Sequence, residues 1–259
     1  MNESNNPYAP PQANVTPTFA EQELELLSEP RSLSAGAGVN WISAAWPLVK
    51  KDLGIWVLIT LALMVIQLIL AFIPFVGAVA GNVLTPVFTG GLLMGIRAAS
   101  AGEPLRFDAL FEGFKHQFAP LAGLGALMLV VMFLLGVIAS GVFYATMPAP
   151  DVMQADPMAG LSGSNLAIVG IVVGILSILV GMLFFFATPL VALNQVPVFK
   201  ALGMSFKGSL RNILPILIYG FIIMILIILG AIPLFLGLLI VIPMIYVSSY
   251  AAYRQVFLK

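Results

Sequence analysis

A chain of 259 residues that is 61% hydrophobic and 8% charged cannot close a water-soluble core, because a soluble domain carries about 25% charged residues. Its formal net charge of +0 provides no global attraction to nucleic acid. Zero cysteines exclude disulfides, thiolate catalysis and cysteine metal sites, and the single histidine, His116, excludes a multi-histidine metal cluster.

The first segment, "MNESNNPYAPPQANVTPTFAEQ", has neither a basic n-region nor an apolar h-region, so no cleaved signal peptide is expected. Its Pro, Asn and Gln content predicts a disordered tail over residues 1–38. Within it "NPYAPP" reads as an inert leader, with a polyproline II recognition motif as the alternative. "AEQELELLSE" has the makings of one acidic helical turn.

Residues 39–259 then read as one transmembrane domain. No Asp, Glu, Lys or Arg occurs in 53–96, 116–150, 157–199 or 212–253. A spanning helix needs about 20 apolar residues. These runs hold six spans, roughly 53–73, 75–96, 118–144, 166–194, 213–231 and 234–252. Their continuity excludes a transmembrane barrel, whose strands alternate over about ten residues. The eleven Lys and Arg residues, from Arg31 to Lys259, all fall on one side of that layout. The other side holds two proline turns and the loop "MPAPDVMQADPMAGLSGSN", with two Asp and no base. The positive-inside rule places both termini in the cytoplasm.

The even-numbered spans share a motif. "TPVFTGGLLMGIR", "TPLVALNQVPVFK" and "IPMIYVSSYAAYR" each carry a base 11 residues after the proline, as Arg97, Lys200 and Arg254. The odd-numbered spans share a lead-in. "AAWPLVKKDLG", "ALFEGFKHQFA" and "GMSFKGSLRNIL" align without gaps, with Trp46, Phe111 and Phe206 five residues before Lys51, His116 and Arg211. Three hairpin units follow, about 39–97, 103–200 and 201–259, each an interfacial amphipathic helix, a span out, a turn and a proline-bearing span back. The turns "IPFVG" and "IPLFLG" of the first and third units pair Pro with Gly, as a tight turn prefers. Asp52, Gln117 and Asn212 stand where they would cap the spans that follow. The aromatics and bases of the lead-ins belong at headgroup level, either as ordinary anchors or as a specific lipid site.

Eleven residues rise about 16 Å, half of a hydrocarbon core about 30 Å thick. Pro86, Pro189 and Pro243 therefore lie near the midplane, where each kinks its helix. Thr85 and Thr188 precede two of them and are placed to reach back to freed carbonyls; Ile242 precedes the third. The kinks either shape the packing or surround a cavity. Gly77, Gly81 and Thr85 on the second span, and Gly170, Gly174, Ser177 and Gly181 on the fourth, form small-residue faces. They read as intramolecular packing surfaces, with a homo-oligomer through the fourth span as the alternative. Gln67 and Asn82, on neighbouring antiparallel spans, are expected to face each other and hydrogen-bond. With Thr85 and Thr188 they are the candidate ligand-lining residues. No acid or base lies within any span, which argues against ion coupling, voltage sensing and intramembrane hydrolysis.

The tail "NPYAPP", the lead-in "GVNWISAAWPL", "LTPVFTGGLLMGIRA", "GEPLRFDALFEGF" and the closing "YAAYRQVF" resemble a family of uncharacterised bacterial inner-membrane proteins with six spans. The layout is similar to the membrane-embedded extension beside some glycerophosphodiester phosphodiesterase domains. That domain and its acidic metal ligands are missing from this sequence, so the resemblance implies fold and localisation alone. The expectation is a non-enzymatic, cofactor-free component of the bacterial cytoplasmic membrane that organises lipid or a membrane-protein partner. The alternative is a carrier for a neutral or lipidic small molecule through a midplane cavity.

Overall fold

The computed structural model describes residues 25–156 and 158–259, and these are almost entirely helical. In chain order the helices are α1 (Ala37–Lys51), α2 (Leu53–Ala71), α3 (Val76–Ser100), α4 (Glu112–His116), α5 (Phe118–Ala145), α6 (Pro150–Ala155), α7 (Gly163–Phe184), α8 (Ala187–Asn194), α9 (Val198–Arg211), α10 (Ile213–Ala231) and α11 (Leu238–Phe257). A 3₁₀ turn, Phe107–Phe111, precedes α4. Five stretches are long and apolar enough to cross a membrane: α2, α3, α5, α7 with α8 (Gly163–Asn194), and α10. This is the make-up of a multi-pass membrane protein. The expected sixth span forms as α11 but is not among those five. Its second half carries Ser248, Ser249, Tyr250, Tyr253, Arg254 and Gln255.

Those polar groups are accounted for by position. α11 packs against α1, α2, α3 and α10. Ser248 Oγ meets Tyr219 Oη of α10 at 2.9 Å, Tyr250 Oη meets Ser100 Oγ of α3 at 3.2 Å, and Gln255 accepts from Trp41 Nε1 of α1 at 2.9 Å. Tyr253 donates to Asn194 at the end of α8. A helix surrounded by protein can carry hydrogen-bonding side chains because each finds a partner there.

The breaks between lead-in and span recur in one conformation. Asp52, Gln117 and Asn212 have φ, ψ of −120°, 37°; −138°, 33°; and −128°, 30°. None makes the expected side-chain cap. Two of the side chains turn to neighbouring segments instead. Asp52 accepts from Leu105 N at 3.4 Å. Asn212 accepts from Leu33 N at 2.9 Å and donates to Arg31 O at 2.8 Å.

Each lead-in packs on the returning helix before it in the chain. The 3₁₀ turn and α4 lie on α3, and α9 lies on α7 and α8. α1, the first helix among the described residues, packs on α11, the last. Lead-in backbone also comes against helix backbone, at Gly113 on α3 and at Gly38 on α10. A Cβ on Gly113 would stand 2.0 Å from Val87 O, and one on Gly38 would stand 2.3 Å from Pro215 O. Only glycine permits that approach, which also suits weak Cα–H···O contacts between helices.

The described residues begin inside the expected tail of residues 1–38. Residues 25–34 form a strap across the C-terminus. Leu27 N donates to Phe257 O and Arg31 N to Val256 O, both at 2.8 Å, and Leu26 and Leu258 form an antiparallel bridge. Glu29 pairs with Lys207 at 2.5 Å and Arg211 at 2.9 Å. The segment "NPYAPP", with both of its readings, lies outside the described residues.

The turn chemistry also differs from expectation. Positive φ occurs not at glycine but at Phe75 (59°) in the first turn and at Leu234 (51°) and Phe235 (65°) in the other. The glycines serve helix approach. A Cβ on Gly77 would stand 1.8 Å from Leu70 O, and one on Gly237 2.5 Å from Gly230 Cα.

Candidate functional site

Three of the four candidate ligand-lining residues come together. Gln67, Asn82 and Thr85 are all exposed and line one groove of about 410 Å³ between α2 and α3, closed at the turn by Pro74 and Phe75. The expected Gln67–Asn82 hydrogen bond is not formed. Asn82 Nδ2 donates to Ala78 O of its own helix at 2.9 Å. The Gln67 carboxamide lies over Gly81, with Oε1 3.4 Å from where a Cβ would be. The small residue admits Gln67 to the helix surface one residue away from Asn82. Thr85 Oγ1 donates to Gly81 O at 2.7 Å. That is one position before the Asn82 carbonyl that Pro86 frees. The freed carbonyl instead faces Gly125 of α5, where a Cβ would stand 2.8 Å from Asn82 O and 2.5 Å from Val83 O.

Thr188 lies elsewhere, on α8, and makes no side-chain hydrogen bond among the described residues. The fourth span breaks upstream of Pro189, at Phe185–Phe186. Two features coincide there: Pro189 has no N–H for Phe185 O, four residues back, and a side chain from another helix enters the ladder. Ser205 Oγ of α9 accepts from Phe186 N and donates to Met182 O, both at 2.9 Å, and Ser209 Oγ donates to the same carbonyl at 3.1 Å. Phe186 N and Met182 O are the i and i−4 partners of a regular helix, so the hydroxyl is inserted into the ladder. Pro86, Pro189 and Pro243 are all buried. Around them Val87, Leu190, Val191 and Met244 belong to one buried apolar cluster.

A second site gives no local signal in the sequence because its residues come from three separated segments. A cavity of about 420 Å³ opens where α3 ends, between the 103–117 segment and the end of α8. It is lined by charged and amide groups: Arg97, Glu103, Arg106, Asp108, Glu112, His116, Gln117 and Gln195. Its ion pairs are local. Arg106 grips Asp108 through both oxygens at 3.2 and 2.9 Å. Glu112 meets Lys115 at 2.6 Å and His116 at 3.0 Å. The Lys115 ammonium, with His116 beside it, holds the Glu112 carboxyl below its ordinary range, and the same bond raises Lys115. Arg97 Nη1 donates to Leu193 O at 3.3 Å, capping the C-terminus of α8. Gln195 follows with φ 53°, the left-handed residue that ends that helix. The motif "LTPVFTGGLLMGIR" contains Arg97, but nothing local in it signals the partners that folding brings.

No group of three or more His, Cys, Asp or Glu able to hold a metal occurs among the described residues. No family model, no curated protein and no solved structure matches this chain.

Proposed function

We propose that this chain is a six-span protein of the bacterial cytoplasmic membrane with both termini in the cytoplasm, built from three hairpin units. It works without catalysis, organising lipid or a partner membrane protein. The observation that carries the non-carrier reading is the filled centre. Val87, Leu190, Val191 and Met244, next to or near Pro86, Pro189 and Pro243 in sequence, belong to one buried apolar cluster, and none of the three prolines lines either cavity described above. The repeat is supported by the shared backbone angles at Asp52, Gln117 and Asn212 and by each lead-in packing on the returning helix before it. On this reading α11 is the sixth span, shielded from lipid by its neighbours. The layout fits the bacterial family resemblance drawn from the sequence.

Two measurements test the reading. In cells, a cysteine at Asp151 should react with a membrane-impermeant maleimide from outside, and one at Gly102 should not; the chain has no native cysteine to interfere. The reverse pattern overturns the orientation. In reconstituted vesicles, labelled lipids should cross the bilayer no faster than in protein-free vesicles. Protein-dependent crossing overturns the non-carrier reading.

A further inference from the structure

We infer that the polar cavity at the end of α3 is a headgroup site for a zwitterion that joins a phosphate to a primary ammonium, as in a phosphoethanolamine lipid. This rests on the reading of the chain as a lipid-interacting membrane component and names the lipid class. What matters is which of the cavity's charges are still unspent. Arg106 and Asp108 satisfy each other through a two-point pair, and Glu112 is taken by Lys115 and His116. Two charges remain. Arg97 uses one N–H on Leu193 O and keeps its other donors. The Glu103 carboxylate has no hydrogen bond or ion pair among the described residues; Lys51 nearby reaches its backbone carbonyl, at 3.4 Å, and not its carboxylate. Gln117 and Gln195 add amide donors and acceptors. One unpaired cation and one unpaired anion on a common cavity complement a ligand carrying both signs.

The lining narrows the class further. No Phe, Tyr or Trp side chain lines the cavity. A quaternary ammonium is recognised by aromatic faces, whereas a primary ammonium donates hydrogen bonds to a carboxylate. A purely anionic headgroup would leave Glu103 facing like charge. The volume, about 420 Å³, lies within the range of small-molecule sites. The same segment presents an aromatic face: Phe107, Phe111, Phe114 and Phe118 form a chain of ring contacts, and Phe107, Phe111 and Phe118 are exposed. That is the surface acyl chains would lie against.

The test uses the full chain reconstituted in discs of phosphatidylethanolamine and phosphatidylglycerol in equal parts, with a parallel set in which phosphatidylcholine replaces the ethanolamine lipid. After transfer to detergent, retained lipid is counted by native mass spectrometry. The ethanolamine lipid should be retained over the glycerol lipid by about tenfold, the scale of one charge-assisted hydrogen bond. Phosphatidylcholine should show no such preference. Glu103→Gln should reduce the preference to about even with thermal stability unchanged, because that side chain makes no contact that folding needs. Arg106→Gln, whose charge is spent on Asp108, should keep most of it. Displacement of the lipid by soluble phosphoethanolamine would assign the same site to the free headgroup, and resistance to it would assign the site to lipid. Equal retention of all three lipids, or a preference that survives Glu103→Gln, overturns the inference. Transbilayer flux in the vesicle assay would overturn the non-carrier reading while leaving this retention result standing.

Discussion

The two ends of this molecule are built on different terms. At the end where the lead-ins meet the returning helices, Trp41, Phe186, Tyr253 and Phe257 are fully buried, and Trp41 and Tyr253 hydrogen-bond to Gln255 and Asn194. Along the α5–α7 hairpin, away from where α5 meets α3 and α7 meets α9, Phe133 is 69% exposed, Ile171 63% and Ile178 57%, and α7 contributes only Met182 to the buried set. The first end is packed like a soluble core. The second has two helices against each other and little else, so its apolar surface needs lipid or protein from outside. In a membrane there is no hydrophobic drive between helices already in lipid, so close approach and hydrogen bonds do the holding. The hydrogen bonds between helices are concentrated at the first end.

Glycine substitutions would break that contrast most sharply. Gly38→Ala and Gly113→Ala place a Cβ 2.3 and 2.0 Å from backbone oxygens that cannot step aside. Each should cost about 1–3 kcal/mol or more, seen as a clear fall in thermal stability in detergent. Gly174→Ala on α7 meets nothing within 4 Å and should be neutral, or stabilise by up to about 1 kcal/mol through helix propensity. Equal losses at both ends would show that the hairpin is packed after all, by a second copy or a partner.

Chemistry at the fourth span sharpens the comparison at its border. Ser205→Ala removes the hydroxyl that bridges Phe186 N and Met182 O where the membrane-like hairpin joins the packed end. Ser209 still covers the carbonyl, but Phe186 N is orphaned. The expected cost is about 1–3 kcal/mol. Thr188→Val, one residue before Pro189, should cost much less, because its hydroxyl supports nothing at the break. If the two are reversed, the kink belongs to the Thr-Pro pair and not to the inserted serine.

Ser205 also shows where sequence reading stops. The apolar runs are legible because bilayer thickness dictates their length, and the starts of α2, α5 and α10 fall within a residue of expectation. The junction positions Asp52, Gln117 and Asn212 are legible by alignment, though their side-chain roles are not, since a cap requires knowing which way the side chain turns. The serine inserted at the fourth-span break, the Asn82 bond to its own helix and the charged cavity are not legible. Each depends on a choice of partner that folding makes and spacing does not reveal. The glycine stripe of α7 has the spacing of an internal packing face, but a methyl group added at Gly170, Gly174 or Gly181 would meet nothing within 4 Å. Spacing shows that a face exists, not what faces it.

The strap gives the smallest expected effect and tests how the packed end closes on itself. Lys207, with Arg211 beside it, holds the Glu29 carboxyl below its ordinary range. A depressed folded value means the pair's contribution is fully present above the unfolded carboxylate pKa, about 4.3, and fades as pH falls through the lower folded value. Both partners are exposed, so solvent screening keeps the contribution small. The measurement is hydrogen exchange at the Leu27 and Arg31 amides, which donate to Phe257 O and Val256 O. Glu29→Gln should speed their exchange a few-fold near neutral pH and leave the amides of α3 untouched. Raised salt should do the same to the wild type, and acidification below the ordinary carboxylate range should bring wild type and variant together. The backbone bonds and the Asn212 contacts to Arg31 and Leu33 remain in the variant, which is why loosening and not release is expected. If Glu29→Gln detaches the strap outright, the ion pairs and not the backbone ladder close the packed end. If exchange does not change at all, Glu29 is a bystander there.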